Sequence, residues 1–252
     1  MVGLADRPFL MALFNLPALW LCSWFGARFA HLAPRTKEGR DELGVVLAAS
    51  LTLLGLIVGF TFSMAVNRYD LRKSYEEAEA NAIGTEYLRS ELLPPAEALA
   101  TKALLRQYLE QRVLFYEARG GTALGPINAR TGELQEQLWT RVRDAAGPQP
   151  TAITALVISG MNDVINSQGY TQFAWWNRIP SSAWELVLVI AALCSGLLGF
   201  TAPHLRTRPL LFSVLPLVVT IALFLIADID SPRAGTIHVV PQNLLALAAT
   251  LR

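Results

Sequence analysis

Side chains that could do chemistry are few and scattered. The three histidines, His31, His204 and His238, stand alone in sequence, near the edges of apolar stretches or in the tail. None has a ligand partner at metal-site spacing, and there is no CxxC pair. Cys22 and Cys194 each lie inside an apolar stretch, where a free thiol behaves as a small buried hydrophobe and a disulfide is not expected. Glu76, Glu77 and Glu79 form an acidic run on a helix, read as a solvated or salt-bridged face. Asp228 and Asp230 fall well short of the roughly 6–8 oxygens that calcium needs, so they are read as capping or solvated groups. No GxSxG, Walker or dinucleotide fingerprint occurs. This inventory points to no enzyme, no metal and no cofactor.

The elements that carry these residues explain the scarcity. Charged residues make up 16% of the 252, against about 25% in an ordinary soluble domain. Residues 68–185 hold 12 of the 21 Lys/Arg and 14 of the 20 Asp/Glu, leaving 15 charges for the rest of the chain. A net charge of +1 gives no basic field for phosphates, which excludes a nucleic-acid binder. Four uncharged stretches approach the roughly 20 residues that cross a bilayer: 8–27, 43–67, 186–203 and 209–227. The first, with Trp20 and Trp24 and no clean cleavage site, is read as a retained span. The expected organisation is all-α: spans one and two in 1–67, a helical extramembrane insert at 68–185, spans three and four in 186–227, and a tail at 228–252.

Four spans put the insert and both termini on one side of the membrane. The short connections hold Arg28, Arg35, Lys37, Arg40, Arg206 and Arg208; the opposite side holds Arg7, Arg68, Arg72, Lys73, Arg178 and Arg233. Six against six does not set the orientation, although the dense first connection leans toward a non-cytoplasmic insert.

Within the insert, the helix of span two is expected to continue from Arg68 to about Leu92, where Pro94-Pro95 stops it. A second helix is expected over 96–118, carrying Leu99, Leu105, Tyr108, Leu109, Val113 and Tyr116 at near-helical spacing, and ending at Gly120-Gly121. A loop to Gly132 follows, then a helix to about Ala146, the break Pro148-Gln149-Pro150, and a last helix over 151–167. Phe173, Trp175, Trp176 and Trp184 suit an interfacial approach to span three.

No span contains an ionisable residue away from its ends, which disfavours an ion-coupled transporter. A pore with an apolar constriction needs none. On span two, Thr52, Leu56 and Phe60 recur every four residues and share one helix face. Gly55 and Gly59 form a GxxxG ridge about 100° away, where a neighbouring helix could approach closely.

The segment GFTFSMAVNRYDLRKSYEEAEANAIGTEYLRSELLP (59–94) resembles the bacterial bestrophin-like family of unknown function. MNDVIN (161–166), RIPSSAW (178–184), DIDSPRAG (228–235) and VVPQNLLAL (239–247) extend the likeness over nearly the whole chain. More distantly, Gly59-Phe60 followed by Val66-Asn67-Arg68-Tyr69 is similar to the end of the second span in bestrophins, which are pentameric anion channels. That resemblance implies a homo-oligomer, a pentamer, with span two lining the pore, Thr52, Leu56 and Phe60 at an apolar neck, and the insert forming a cytosolic vestibule. It implies small anions and the lipid bilayer as partners and the bacterial inner membrane as location.

Two departures stand out. The acidic run that clasps calcium in bestrophins is reduced here to Asp228 and Asp230, and Thr52 replaces a larger apolar neck residue. Arg68, Arg72 and Lys73 are expected at the membrane boundary, reaching headgroups or drawing anions into the vestibule. Asp70 is expected to pair with one of them, and Glu79 and Asn81 to bond between helices or subunits. The alternative is a non-conducting membrane-anchored scaffold or sensor whose insert binds a partner.

Overall fold

The computed structural model describes residues 7–33, 36–119, 121–147 and 151–251. Arg35, Gly120 and the break at 148–150 lie outside these residues, as do the side chains of Gly121 and Arg206. The described residues form helices and no strand: α1 Pro8–Arg28, α2 Lys37–Arg89, α3 Pro95–Glu117, α4 Gly121–Ala146, α5 Ala152–Trp176, α6 Ser181–Thr201, α7 Pro209–Asp230 and α8 Gln242–Thr250. Short 3-10 turns cover Ala30–Leu32, Ser90–Leu92 and Pro203–Thr207. Four helical stretches are long and apolar enough to cross a membrane. The chain is an all-α membrane protein.

Two compact units divide the chain. One comprises residues through Asn67 together with Arg178–Ile237; the other comprises Arg68–Asn177 and His238–Arg252. Residues 178–185 and 228–237 therefore pack with the spans, and the end of the tail packs with the insert.

In the spanning unit, α1 packs on α6 and α7. Small residues allow the α1–α6 backbones to approach closely. A methyl group at Gly26 would lie 1.9 Å from the Gly196 carbonyl oxygen, and one at Gly199 would lie 1.9 Å from that of Ser23. Against α7 the contacts are aromatic: Phe9 meets Phe224 at 5.2 Å between centroids, and Trp20 meets Phe212 edge-on at 5.9 Å. Pro17 and Pro216 lie inside α1 and α7, positions a membrane helix tolerates.

In the other unit, one apolar core is built from α3, α4, α5, the Arg68–Arg89 part of α2 and the tail. Several expectations are corrected here. The stretch expected as a loop to Gly132 is helical, with Pro126 inside α4. Leu124, Ile127, Thr131, Leu134, Leu138 and Val142 make a stripe at three- and four-residue spacing that packs into the core, and its burial outweighs the lost backbone bond of one proline.

Helix α5 starts on a reciprocal Thr151–Thr154 capping box. It runs to Trp176 instead of Ser167, because Thr171, Ala174 and Trp175 continue its buried face. Trp175 is no interfacial anchor; it packs against Phe115 at 5.1 Å and Tyr116 at 5.5 Å. Trp184 is likewise buried, while Phe173 and Trp176 are exposed. Leu99, expected on the apolar face of α3, points to the surface, and Arg112 occupies the buried stripe. Helix α8 lies in what was expected to be a plain tail.

Candidate functional site

Helix α2 carries two faces of opposite character. Leu54, Thr61 and Ala65 are buried in the spanning unit; Arg72, Glu76, Glu79, Ile83 and Glu86 are buried in the other. Away from these lies an exposed stripe at three- and four-residue spacing: Thr52, Leu56, Phe60, Ser63, Asn67, Asp70, Ser74, Glu77, Asn81 and Thr85. The three candidate neck residues belong to it, with Leu56 54% and Phe60 63% exposed. Only 6% of the apolar window of α2 is buried within the chain, against 22, 33 and 39% for the other three. Thr52 Oγ1 donates to the Ala48 carbonyl at 2.9 Å, so its proton is used within the helix. Gly55 and Gly59 are exposed, and a methyl group at either would meet nothing within 4 Å. The close helix approach within the chain is made instead by Gly26 and Gly199.

The remaining candidates separate sharply. Asp70 and Asn81 are exposed, and Asp70 makes no ion pair among the described residues. Arg68 is half-buried. Arg72 is buried and does not reach headgroups: its Nε donates to the Ala174 carbonyl at 3.2 Å and its Nη2 to that of Asn177 at 3.4 Å. It thereby satisfies carbonyls left open at the end of α5.

The acidic run is not a solvated face. Only Glu77 is exposed. Glu76 accepts from the Leu244 N–H at 2.9 Å and from Asn243 Nδ2 at 2.6 Å, placing a carboxylate at the N-terminus of α8. Glu79 pairs with Arg112, both fully buried, and accepts from Thr171 Oγ1 at 3.1 Å and the Tyr116 hydroxyl at 3.3 Å. Burial is the largest influence on the Arg112 charge and works against it, but the charge and hydrogen bond of the Glu79 carboxylate together with Tyr108 and Tyr116 make the net shift upward. Burial, reinforced by that carboxylate, pushes the Tyr108 and Tyr116 hydroxyls well above the usual phenol range.

Sequence reasoning missed Glu86. It is fully buried, and neither carboxylate oxygen has a hydrogen-bond partner among the described residues. Burial raises its carboxyl to about 8, Arg89 opposing and Asp163 adding. Gly160 makes the room, since a methyl group there would lie 2.0 Å from Glu86 Oε2. The signal in the sequence was a Glu at the register of Arg72, Glu79 and Ile83, on the buried side of α2.

Asp228 and Asp230 are neither solvated nor a nascent cation site, for N–H and O–H donors occupy them. Asp228 accepts from Thr236 N at 2.7 Å, Thr236 Oγ1 at 2.7 Å and Ile237 N at 2.9 Å. Asp230 accepts from Arg178 Nε at 3.0 Å and from the Ile179 N–H at 3.3 Å. Both cysteines are free, and Cys194 is buried. His238 bonds to Arg119 Nη2 at 2.8 Å. His31 and His204, isolated in sequence, line one recess with Arg40.

The comparisons agree with this architecture. A crystal structure of a variant of a bacterial bestrophin homolog from Klebsiella pneumoniae superposes with a TM-score of 0.64 at 14% identity, covering 95% of this chain and 96% of that one. A second structure of a bestrophin homolog from that organism gives 0.61 at 13% identity, covering 96% and 98%. A third, of a variant described only as a membrane protein, gives 0.64 at 13% identity, covering 96% and 99%. No curated protein matches the chain. The family described as "Bestrophin-like domain" matches residues 14–244, from within α1 to the first residues of α8, and the chain belongs to the bestrophin-like family.

Proposed function

We propose that the chain is one subunit of an oligomeric ion channel in the bacterial plasma membrane, conducting passively and without catalysis. In this reading, α2 helices from several copies, five by resemblance, surround a pore whose neck is lined by Thr52, Leu56 and Phe60. Gly55 and Gly59, open on the same helix, receive the neighbouring subunit. The insert and termini face the cytoplasm, and small anions are the preferred permeant ions. Arg68, Asp70 and Asn81 lie at the vestibule or subunit interface, while Arg72 and Glu79 support it from within the chain.

The observation that carries the reading is the exposure of α2. It is the least buried of the apolar windows, and its exposed stripe changes from apolar at Leu56 and Phe60 to polar from Ser63 onward. An apolar ring narrow enough to dewet, followed by a polar widening, suits a gated pore.

The test is chloride and sodium flux from liposomes containing purified protein, with Leu56→Ala and Phe60→Ala beside wild type. Faster flux or altered selectivity on trimming the neck is the expected result. No flux from any of the three, with insertion and oligomeric state verified, overturns the reading.

One observation favours the non-conducting alternative in that event. A groove of about 1080 Å³ between α3 and α4 is lined by Glu97, Glu133, Glu136 and Asp144 with Arg141, an acidic surface suited to a basic partner.

A further inference from the structure

The recess shared by His31, Arg40 and His204 is the one place among the described residues where two distant histidines converge on an arginine. It is formed at the end of α1, the start of α2 and the end of α6. Its volume is about 570 Å³, and Leu43, Phe200 and Pro203 complete an apolar floor. No carboxylate lines it, although Glu38, Asp41 and Glu42 lie on the same turns of α2 as Arg40.

His31 Nδ1 lies 3.2 Å from the Arg28 carbonyl oxygen. That bond assigns the Nδ1 proton and leaves Nε2 for a ligand. A guanidinium above an apolar floor offers charge-assisted donors to an anion whose remainder is apolar, and the two imidazoles add donors in their imidazolium form.

We propose that this recess binds a phosphate group, held by Arg40, His31 and His204. The apolar floor favours a phosphate carried by an anionic lipid headgroup over free inorganic phosphate. The site does not depend on conduction.

The experiment uses full-length protein purified in detergent and delipidated. Retention of added phosphatidylglycerol and phosphatidylcholine is measured by native mass spectrometry, for wild type, the double variant His31→Gln/His204→Gln, Arg40→Gln, and Arg208→Gln as a control at the same edge but off the recess. A thermal melt of each variant confirms folding. Wild type and Arg208→Gln should retain phosphatidylglycerol at least tenfold better than phosphatidylcholine. Arg40→Gln and the double variant should lose that preference. Displacement by millimolar inorganic phosphate would assign the same chemistry to a soluble source; resistance to it would assign the lipid. Equal retention of the two lipids by wild type overturns the proposal, and so does undiminished preference in both recess variants.

Discussion

Glu79 on α2 and Arg112 on α3 form an ion pair in which neither side chain touches solvent. Thr171 from α5 and Tyr116 from α3 donate to the same carboxylate, so three helices of the insert meet on one charge. Burying two charges in apolar surroundings is tolerable only when each is matched and hydrogen-bonded.

Removing one partner should therefore be far worse than removing both. Glu79→Ala or Arg112→Ala leaves an uncompensated buried charge and should cost about 3–5 kcal/mol. Glu79→Leu combined with Arg112→Met should recover much of that loss. Denaturant melts of the purified protein, followed by circular dichroism, measure both; equal losses in single and double variants would contradict the account.

Glu86 predicts a pH dependence of stability. Its carboxyl is raised by burial from 4.5 to about 8, so between those values the folded state holds a proton that the unfolded state has lost. Stability is then fully present below about 4.5 and falls as pH rises toward 8. The loss amounts to a few kcal/mol, as each pKa unit is worth about 1.4 kcal/mol. Glu86→Gln should flatten the melting temperature across this window. An unchanged slope would assign the dependence elsewhere.

The two glycine pairs should respond oppositely. Gly199→Ala puts a methyl group into the Ser23 carbonyl and should destabilise the chain by about 1–3 kcal/mol. Gly55→Leu or Gly59→Leu meets open space within the chain and should leave its folding intact. Under the proposed assembly these last two should shift the oligomer toward smaller species on size-exclusion with light scattering.

Asp228 should govern the ordering of the segment after α7. Asp228→Ala removes the acceptor for Thr236 and Ile237, at about 1 kcal/mol because these exposed and half-buried donors can turn to water. Faster proteolytic cleavage between residues 231 and 241 reads this out. Gly235→Ala should mimic it, because a methyl group there would lie 2.4 Å from the Asp228 carbonyl oxygen.

Much of the architecture was legible in the residues. Pro8 and Pro209 mark the starts of α1 and α7, and Pro94-Pro95 separates α2 from α3 as expected. Periodicity failed where a breaker was outweighed. Pro126 and Gly132 suggested a loop, yet the apolar stripe of α4 passes through them. Among the candidate site residues, the exposed face of Thr52, Leu56 and Phe60 followed from spacing, whereas the burial of Arg72, Glu76 and Glu79 did not.

Hydropathy and helical period are local properties that add along the chain, and they determined the number of spans, the helical class and the amphipathic faces. Which charge meets which is not local. Glu79 finds Arg112 across 33 positions, Glu76 finds α8 across 168, and His31 and His204 come from different connections. An acidic run reads as solvated because an isolated charge prefers water. For Glu76 and Glu79, packing that brings donors to the carboxylate makes burial tolerable, and that match exists in the tertiary structure alone.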